Sequence, residues 1–164
     1  LKDLASVEAY RSNRVFSSVF FGGGTPSLFE AKQIEVVLLY LENNNLLAAD
    51  AEITLEAKPT SSDIERFAAY RACGINRLSI GVQSFNNHSL KKIGRLHNAA
   101  LALDACSSAI SAGFYNFNID LMYGLPEQSK DDAMTDLKTA IDIKPSHLSL
   151  YQLTLEMVLI DLSF

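Results

Sequence analysis

A short glycine run and a few scattered polar residues in this chain have the types and positions for ligand chemistry. Gly22-Gly23-Gly24 leads into Thr25-Pro26-Ser27. Lacking Cβ atoms, such a run lets backbone approach a ligand closely, and it equally makes a plain tight turn. No Gly-Lys-Ser/Thr follows, which excludes a phosphate loop. The spacing, with Pro26 intruding, excludes a dinucleotide fingerprint. Glu56 lies near the end of Glu52-Ile53-Thr54-Leu55-Glu56-Ala57, where strand alternation puts Glu52, Thr54 and Glu56 on one face. A carboxylate there is either solvated at a rim or paired, and an ammonium is a fitting partner. Gln83 follows Leu78-Ser79-Ile80-Gly81-Val82, and its amide both donates and accepts. Arg95 offers a planar fork suited to a carboxylate, unless it is a plain surface charge. Asp120 falls inside the apolar run Phe117 to Met122. Its two acceptor oxygens can grip the two hydroxyls of a ribose or bond a neighbouring loop. A carboxylate, an amide, a guanidinium and a second carboxylate beside a glycine shelf complement an amino acid joined to a nucleoside.

Alternating strands and helices must position these groups. Apolar periodicity predicts helices over Lys2–Asn13, Glu30–Asn44, Ser62–Cys73, Asn87–Ile93, Asn98–Ala112 and Ser129–Ile143. Ser61 or Ser62 is the expected N-cap of the Ser62 helix, with Glu65 closing a capping box, and Gly74 is its expected C′ residue. Strands are predicted over Val15–Phe21, Glu52–Ala57, Arg77–Val82, Phe117–Met122 and His147–Leu153. This alternation implies parallel strands with right-handed crossovers. A flavodoxin-like open sheet fits the same pattern. What favours a barrel is where the polar residues fall. Gly22 to Thr25, Glu56, Gln83, Asp120, and Gln152 with Thr154 all stand at C-terminal strand ends, where β/α barrels assemble their sites. Five strands are too few to close a barrel, so a partial one is expected.

With 164 residues the chain is long enough for one domain with a sizeable core. Its 48% hydrophobic and 20% charged residues argue against disorder. A net charge of −5 argues against nucleic acid or an anionic membrane as the main partner. No apolar run approaches the roughly 20 residues of a membrane span, and Leu1-Lys2-Asp3 does not open a signal peptide. Cys73 and Cys106 each sit in an apolar helical pattern and read as small buried hydrophobes. They support neither a disulfide nor a metal site, and a reducing cytoplasm is the expected compartment. The non-Met start and the apolar end Met157 to Phe164 give both termini the look of cuts.

Four segments also carry a family resemblance. They are Phe20-Phe21-Gly22-Gly23-Gly24-Thr25-Pro26-Ser27, Glu52 to Ala57, Asn76 to Phe85, and Asn118-Ile119-Asp120-Leu121-Met122-Tyr123-Gly124-Leu125-Pro126. In this order the chain resembles the coproporphyrinogen III oxidase-like radical SAM proteins from about Val15 to Glu156. Gly94-Arg95-Leu96-His97-Asn98 and His147 to Glu156 make it most similar to the HemW branch, regarded as heme chaperones. The resemblance implies an α/β fold, a partial (β/α) barrel of the radical SAM type. About five parallel strands with outer helices are expected, truncated, with residues 1–156 as the core and 157–164 as an atypical tail. It implies S-adenosyl-L-methionine across the strand ends. Gly23, Gly24 and Thr25 would line its methionine moiety, and Glu56, Gln83 and Arg95 would hold its remaining polar groups. Asp120 would bind the ribose, and Thr154 would sit near the adenine side.

The family also holds a 4Fe-4S cluster through a Cys-x3-Cys-x2-Cys loop upstream of the glycine motif. No cysteine precedes Gly22 here, and Cys73 and Cys106 have the wrong spacing. The family's first strand and C-terminal domain are absent as well, so a truncated or frame-shifted product, inactive alone, is expected. Heme is a further expected ligand of the family. Of the histidines, His97 is expected to cap a helix or lie exposed rather than bind iron, His147 is a second candidate ligand, and His88 is expected to be solvated. His97-Asn98-Ala99-Ala100-Leu101-Ala102 does not match the family's His-Asn-x-x-Tyr-Trp motif. The first reading is thus a piece of a HemW-like protein that hands heme to acceptor proteins. The second is an oxygen-independent coproporphyrinogen III oxidase of heme biosynthesis, whose branch carries an extra cysteine after the triad. The third is a non-functional remnant whose exposed strand edges invite aggregation.

Overall fold

The computed structural model describes residues 15–60 and 63–154. Strands β1 (Phe16–Phe21), β2 (Leu47–Ala57), β3 (Arg77–Gln83), β4 (Phe117–Tyr123) and β5 (His147–Gln152) form one sheet. Helices α1 (Ala31–Asn43), α2 (Asp63–Ala72), α3 (Asn87–Lys92), α4 (Ala99–Ser111) and α5 (Lys130–Ile143) lie between them, and a short 3-10 turn spans Pro26–Leu28. The expected helix over residues 2–13, the Ser61 or Ser62 cap and the 157–164 tail lie outside the described residues.

The strands are ordered β1-β2-β3-β4-β5 and every neighbouring pair is parallel. A flavodoxin-like sheet reverses direction at its switch point, with order 2-1-3-4-5. Sequential order instead keeps every crossover on one side of the sheet. The core confirms this. Ile34 and Leu38 of α1, Phe67 and Tyr70 of α2, Ala102, Ala105 and Cys106 of α4 and Ala140 of α5 form one cluster with alternate strand residues. Those strand residues are Ile53, Leu55 and Ala57 on β2, Leu78, Ile80 and Val82 on β3, and Phe117, Ile119 and Leu121 on β4. With helices on one face only, the sheet curls into a half-barrel.

Caps set the helix limits. Glu30 and Gln33 form a reciprocal capping box at α1, and Ser129 and Asp132 form one at α5. Asn86 and Asn98 cap α3 and α4 through their side chains. Gly74 takes its expected place after α2, where its N–H bonds Arg71 O and Ile75 N–H bonds Tyr70 O. Asp63 accepts from the N–H of Thr60 at 2.8 Å and from its hydroxyl, tying down the start of α2.

One strand is longer than expected. β2 begins at Leu47 because Phe16 pairs with Leu47 before a register shift aligns Ser18 with Glu52. Ala48-Ala49-Asp50 has neither alternation nor β-branching, so pairing with β1, not local preference, extends the strand.

Candidate functional site

The concave face is built from the residues that alternate with the core. Parallel register sets Glu56 beside Ser79, Ser79 beside Asn118, and Asp120 beside Ser149. Asp120 Oδ1 accepts from Asn118 Nδ2 at 2.7 Å and Oδ2 accepts from Ser79 Oγ at 3.1 Å. Asn118 also donates to Ser79 Oγ and accepts from Ser149 Oγ. The carboxylate is therefore aimed by three strands at once. An ionised carboxylate offers about four lone-pair sites, so acceptor capacity remains for a ligand.

Gly22 follows β1 where room is scarce. A Cβ there would stand 3.2 Å from the Glu56 carboxyl carbon and closer still to the Phe20 ring. Gly23 then turns through φ +80, and its N–H donates to Glu56 Oε2 at 3.1 Å. The glycine run thus docks on Glu56 and leads Thr25 into the site, where Lys58 Nζ donates to Thr25 Oγ1 at 2.6 Å.

Gln83 is placed by an irregularity. The β3–β4 register slips between Ile80 and Gln83, and Gln83 has φ +70, a left-handed value uncommon outside glycine. Its side chain folds back over Gly81, where a Cβ would come within 2.9 Å of Gln83 Nε2. Tyr151 Oη donates to Gln83 Oε1. Burial, reinforced by the charge of Asp120, raises the Tyr151 phenol above its ordinary value, so it stays a donor at neutral pH.

These groups surround one cavity of about 300 Å³, lined by Gly24, Thr25, Glu56, Gln83, Arg95 and Asp120 together with Pro26, Ala57, Lys58, Ser79, Gly81 and Tyr151. Arg95 reaches it from the α3–α4 loop, and its buried Nε has no hydrogen-bond partner. A buried donor left unmade is costly, about 1–3 kcal/mol, and a carboxylate ligand would satisfy it. Gly23 sits one residue outside the lining. Thr154 is exposed beyond β5 and is not among the lining residues. Of the polar pair expected at the end of β5, Gln152 packs against Gly124, away from the cleft. Tyr151 takes the inward place. Lys58, Ser79, Asn118 and Tyr151 were missed, although period-two alternation along each strand, in step with Glu56, Gly81, Asp120 and Ser149, was the signal for them.

His97 differs from expectation, while His88 is exposed as expected. His97 neither caps a helix nor lies exposed. It is buried, its Nε2 bonds Val82 O at 3.0 Å, and burial holds it below the ordinary histidine range. Asn98 does the capping. His88 is exposed and pairs with Glu127 at 2.9 Å. His147 is exposed at the start of β5 beside Ser146 Oγ.

A 4Fe-4S cluster of the kind the resemblance implies needs three thiolates, and the sequence contains two cysteines. Burial pushes the Cys106 thiol up to about 12 and raises Cys73 as well. Both are unlike the low-pKa thiols that bind metals. Among the described residues no group of three or more His, Cys, Asp or Glu side chains could hold a metal ion. These residues do not fit the cluster. They do fit a zwitterionic nucleoside: acceptors at Glu56 and Asp120, donors at Arg95 and Lys58, and an amide between them. Among the described residues no helix is long and apolar enough to cross a membrane.

Comparisons with known proteins agree with this fold. The chain is 46% identical over 156 residues to the heme chaperone HemW of Escherichia coli, covering 95% of this chain and 41% of that protein. It is 45% identical over 139 residues to the mitochondrial radical S-adenosyl methionine domain-containing protein 1 of Mus musculus, covering 85% of this chain and 31% of that protein. Among solved structures it resembles the coproporphyrinogen III oxidase HemN of Escherichia coli, described as a radical SAM enzyme. The TM-score is 0.75 at 34% identity, over 84% of this chain and 32% of that one. The chain thus spans about two fifths of the length of its HemW relative. Residues 4–140 match the Radical SAM superfamily profile, and the chain belongs to that superfamily.

Proposed function

We propose that the cleft binds S-adenosylmethionine and that the chain is the cofactor-holding barrel segment, residues 1–156, of a HemW-type heme chaperone. The observation that carries the reading is the convergence of Glu56, Gln83, Arg95 and Asp120 on one cavity beside the glycine run. Its volume falls in the range of small-molecule pockets, roughly 300–1,000 Å³. In this reading Gly23, Gly24 and Thr25 line the methionine moiety. Arg95 holds the carboxylate, Glu56 and Gln83 meet the remaining polar groups, Asp120 accepts from the ribose hydroxyls, and Thr154 lies on the adenine side. When bound, the cofactor supplies a sulfonium centre for one-electron chemistry. The chain's own part is to bind and orient it.

Heme and heme-acceptor proteins are the partners this reading assigns to the whole protein, with the cluster held by residues other than this chain's cysteines. Free thiols at Cys73 and Cys106 suit a reducing compartment such as the cytoplasm. The identity to HemW, 46%, supports the chaperone reading over the oxidase, whose solved structure stands at 34%.

Calorimetric titration with S-adenosylmethionine tests the reading. With no cluster to chelate the amino and carboxylate groups, a weak Kd is expected, above roughly 1 mM. Arg95→Ala should abolish measurable binding while the chain still unfolds cooperatively. Equal heats from the variant and the unaltered chain would refute it.

A further inference from the structure

Gln83 enters the cleft from a turn that needs outside support. Ser84 N–H bonds Val82 O at 2.9 Å across Gln83, whose φ is +70. This is a γ-turn of the strained, positive-φ kind, which persists only where the surroundings over-determine it. Two buried side chains supply that support, and neither lines the cleft. From one side, His97 Nε2 meets Val82 O at 3.0 Å. A carbonyl only accepts, so this nitrogen carries the proton. From the other side, Asp136 on α5 accepts from Ser84 Oγ at 2.6 Å and from Phe85 N–H at 2.8 Å. The Ser84 hydroxyl in turn accepts from Asn86 N–H at 3.0 Å. The Val82 carbonyl, the Ser84 hydroxyl and the Phe85 N–H are thereby held on either side of Gln83.

His97 stands two residues after Arg95 on the same loop. Its bond to Val82 therefore ties the loop carrying the guanidinium to the turn carrying the amide. We infer that His97 and Asp136 are positioning residues, a two-sided clamp that sets Gln83 and Arg95 in their ligand-facing geometry. The ligand assigned to that geometry rests on the proposed function. The clamp itself does not.

The test uses the full chain and reads two signals by NMR without ligand: the Gln83 side-chain amide and the Arg95 Nε–H. His97→Ala and Asp136→Ala should shift or broaden both. His97→Gln keeps an N–H near the Nε2 position and should restore them, as should Asp136→Asn, which keeps the acceptor for Phe85. A core variant of similar melting loss, Ile34→Ala, should leave both signals in place. Unmoved signals in the two alanine variants would overturn the clamp and leave the pair as ordinary core structure. Should those variants fail to fold, hydrogen exchange in the unaltered chain decides. Ser84 N–H and Phe85 N–H should exchange together, about 100-fold slower than the exposed Leu96 amide. Exchange as fast as at Leu96 would overturn it. In a titration with S-adenosylmethionine, His97→Ala should weaken binding about tenfold, with His97→Gln recovering most of the loss. If the unaltered chain shows no shift at Gln83 or Arg95 with this probe, the cofactor reading fails, and the clamp is still judged from the ligand-free spectra.

Discussion

Ile119 and Asp120 are neighbours on β4 and face opposite ways. Ile119 is fully buried in the cluster shared by the helices and the central strands. Asp120 looks onto the concave face, held by Ser79 and Asn118, with part of its surface open to the cleft. The same division runs along β2 and β3, where Leu55, Leu78 and Ile80 are wholly buried while Glu56 and Gly81 stay partly open. One face is packed, dry and directionless, and its stabilisation scales with apolar area. The other is a hydrogen-bonded lattice of Ser, Asn, Asp and Glu, in which direction matters and partners are specific. A closed β/α barrel fills its interior with bulky branched residues. This interior is polar, so it contributes little burial and much placement.

The sharpest break of that comparison is a large-to-small change on the packed face. Ile119→Ala should lower unfolding free energy by about 3–4 kcal/mol, with an unchanged denaturant slope. Urea titration followed by circular dichroism checks it. On the concave face, Asn118→Ala leaves Ser79, Asp120 and Ser149 each short of one bond and should cost about 1–3 kcal/mol in the same assay. A loss equal to that of Ile119→Ala would erase the distinction between the faces. The smallest effect concerns pH. Burial depresses His97, so its folded value lies below the ordinary 6.5 and the unfolded chain binds the proton first. Its contribution is complete above about pH 6.5 and is lost as pH falls through the lower folded value. His97→Gln should flatten stability over that acid window, measured as melting temperature against pH. A steeper slope in the variant would reverse the assignment.

Much of this division was legible in the sequence, because alternation is a backbone property. Glu52-Ile53-Thr54-Leu55-Glu56-Ala57 reads out both faces directly. Asp120 was found as a residue type that fits poorly in an apolar run, and Arg95 as a planar fork suited to a carboxylate. The same alternation pointed to Ser79, Asn118 and Tyr151, but single hydroxyls and amides on strands are common enough to pass unremarked. Two features left no such signal. The left-handed turn at Gln83 is imposed by His97 and Asp136 from distant elements, and nothing in Val82-Gln83-Ser84 marks it. The early start of β2 arises from pairing with β1. His97 was misplaced because Asn98, one residue on, performs the capping that position invited.

The central claim is that the polar face ends in a cleft for a zwitterionic nucleoside. Amide chemical shifts of the full chain, followed while S-adenosylmethionine is added to about 10 mM, test it most directly, since such a site would be roughly half or more occupied at a Kd of a few millimolar. The account predicts shifts at Gly23, Gly24, Thr25, Gln83, Arg95 and Asp120, with the amides of α1, α2 and α4 unmoved. Shifts confined to the helices, or none anywhere, would contradict it.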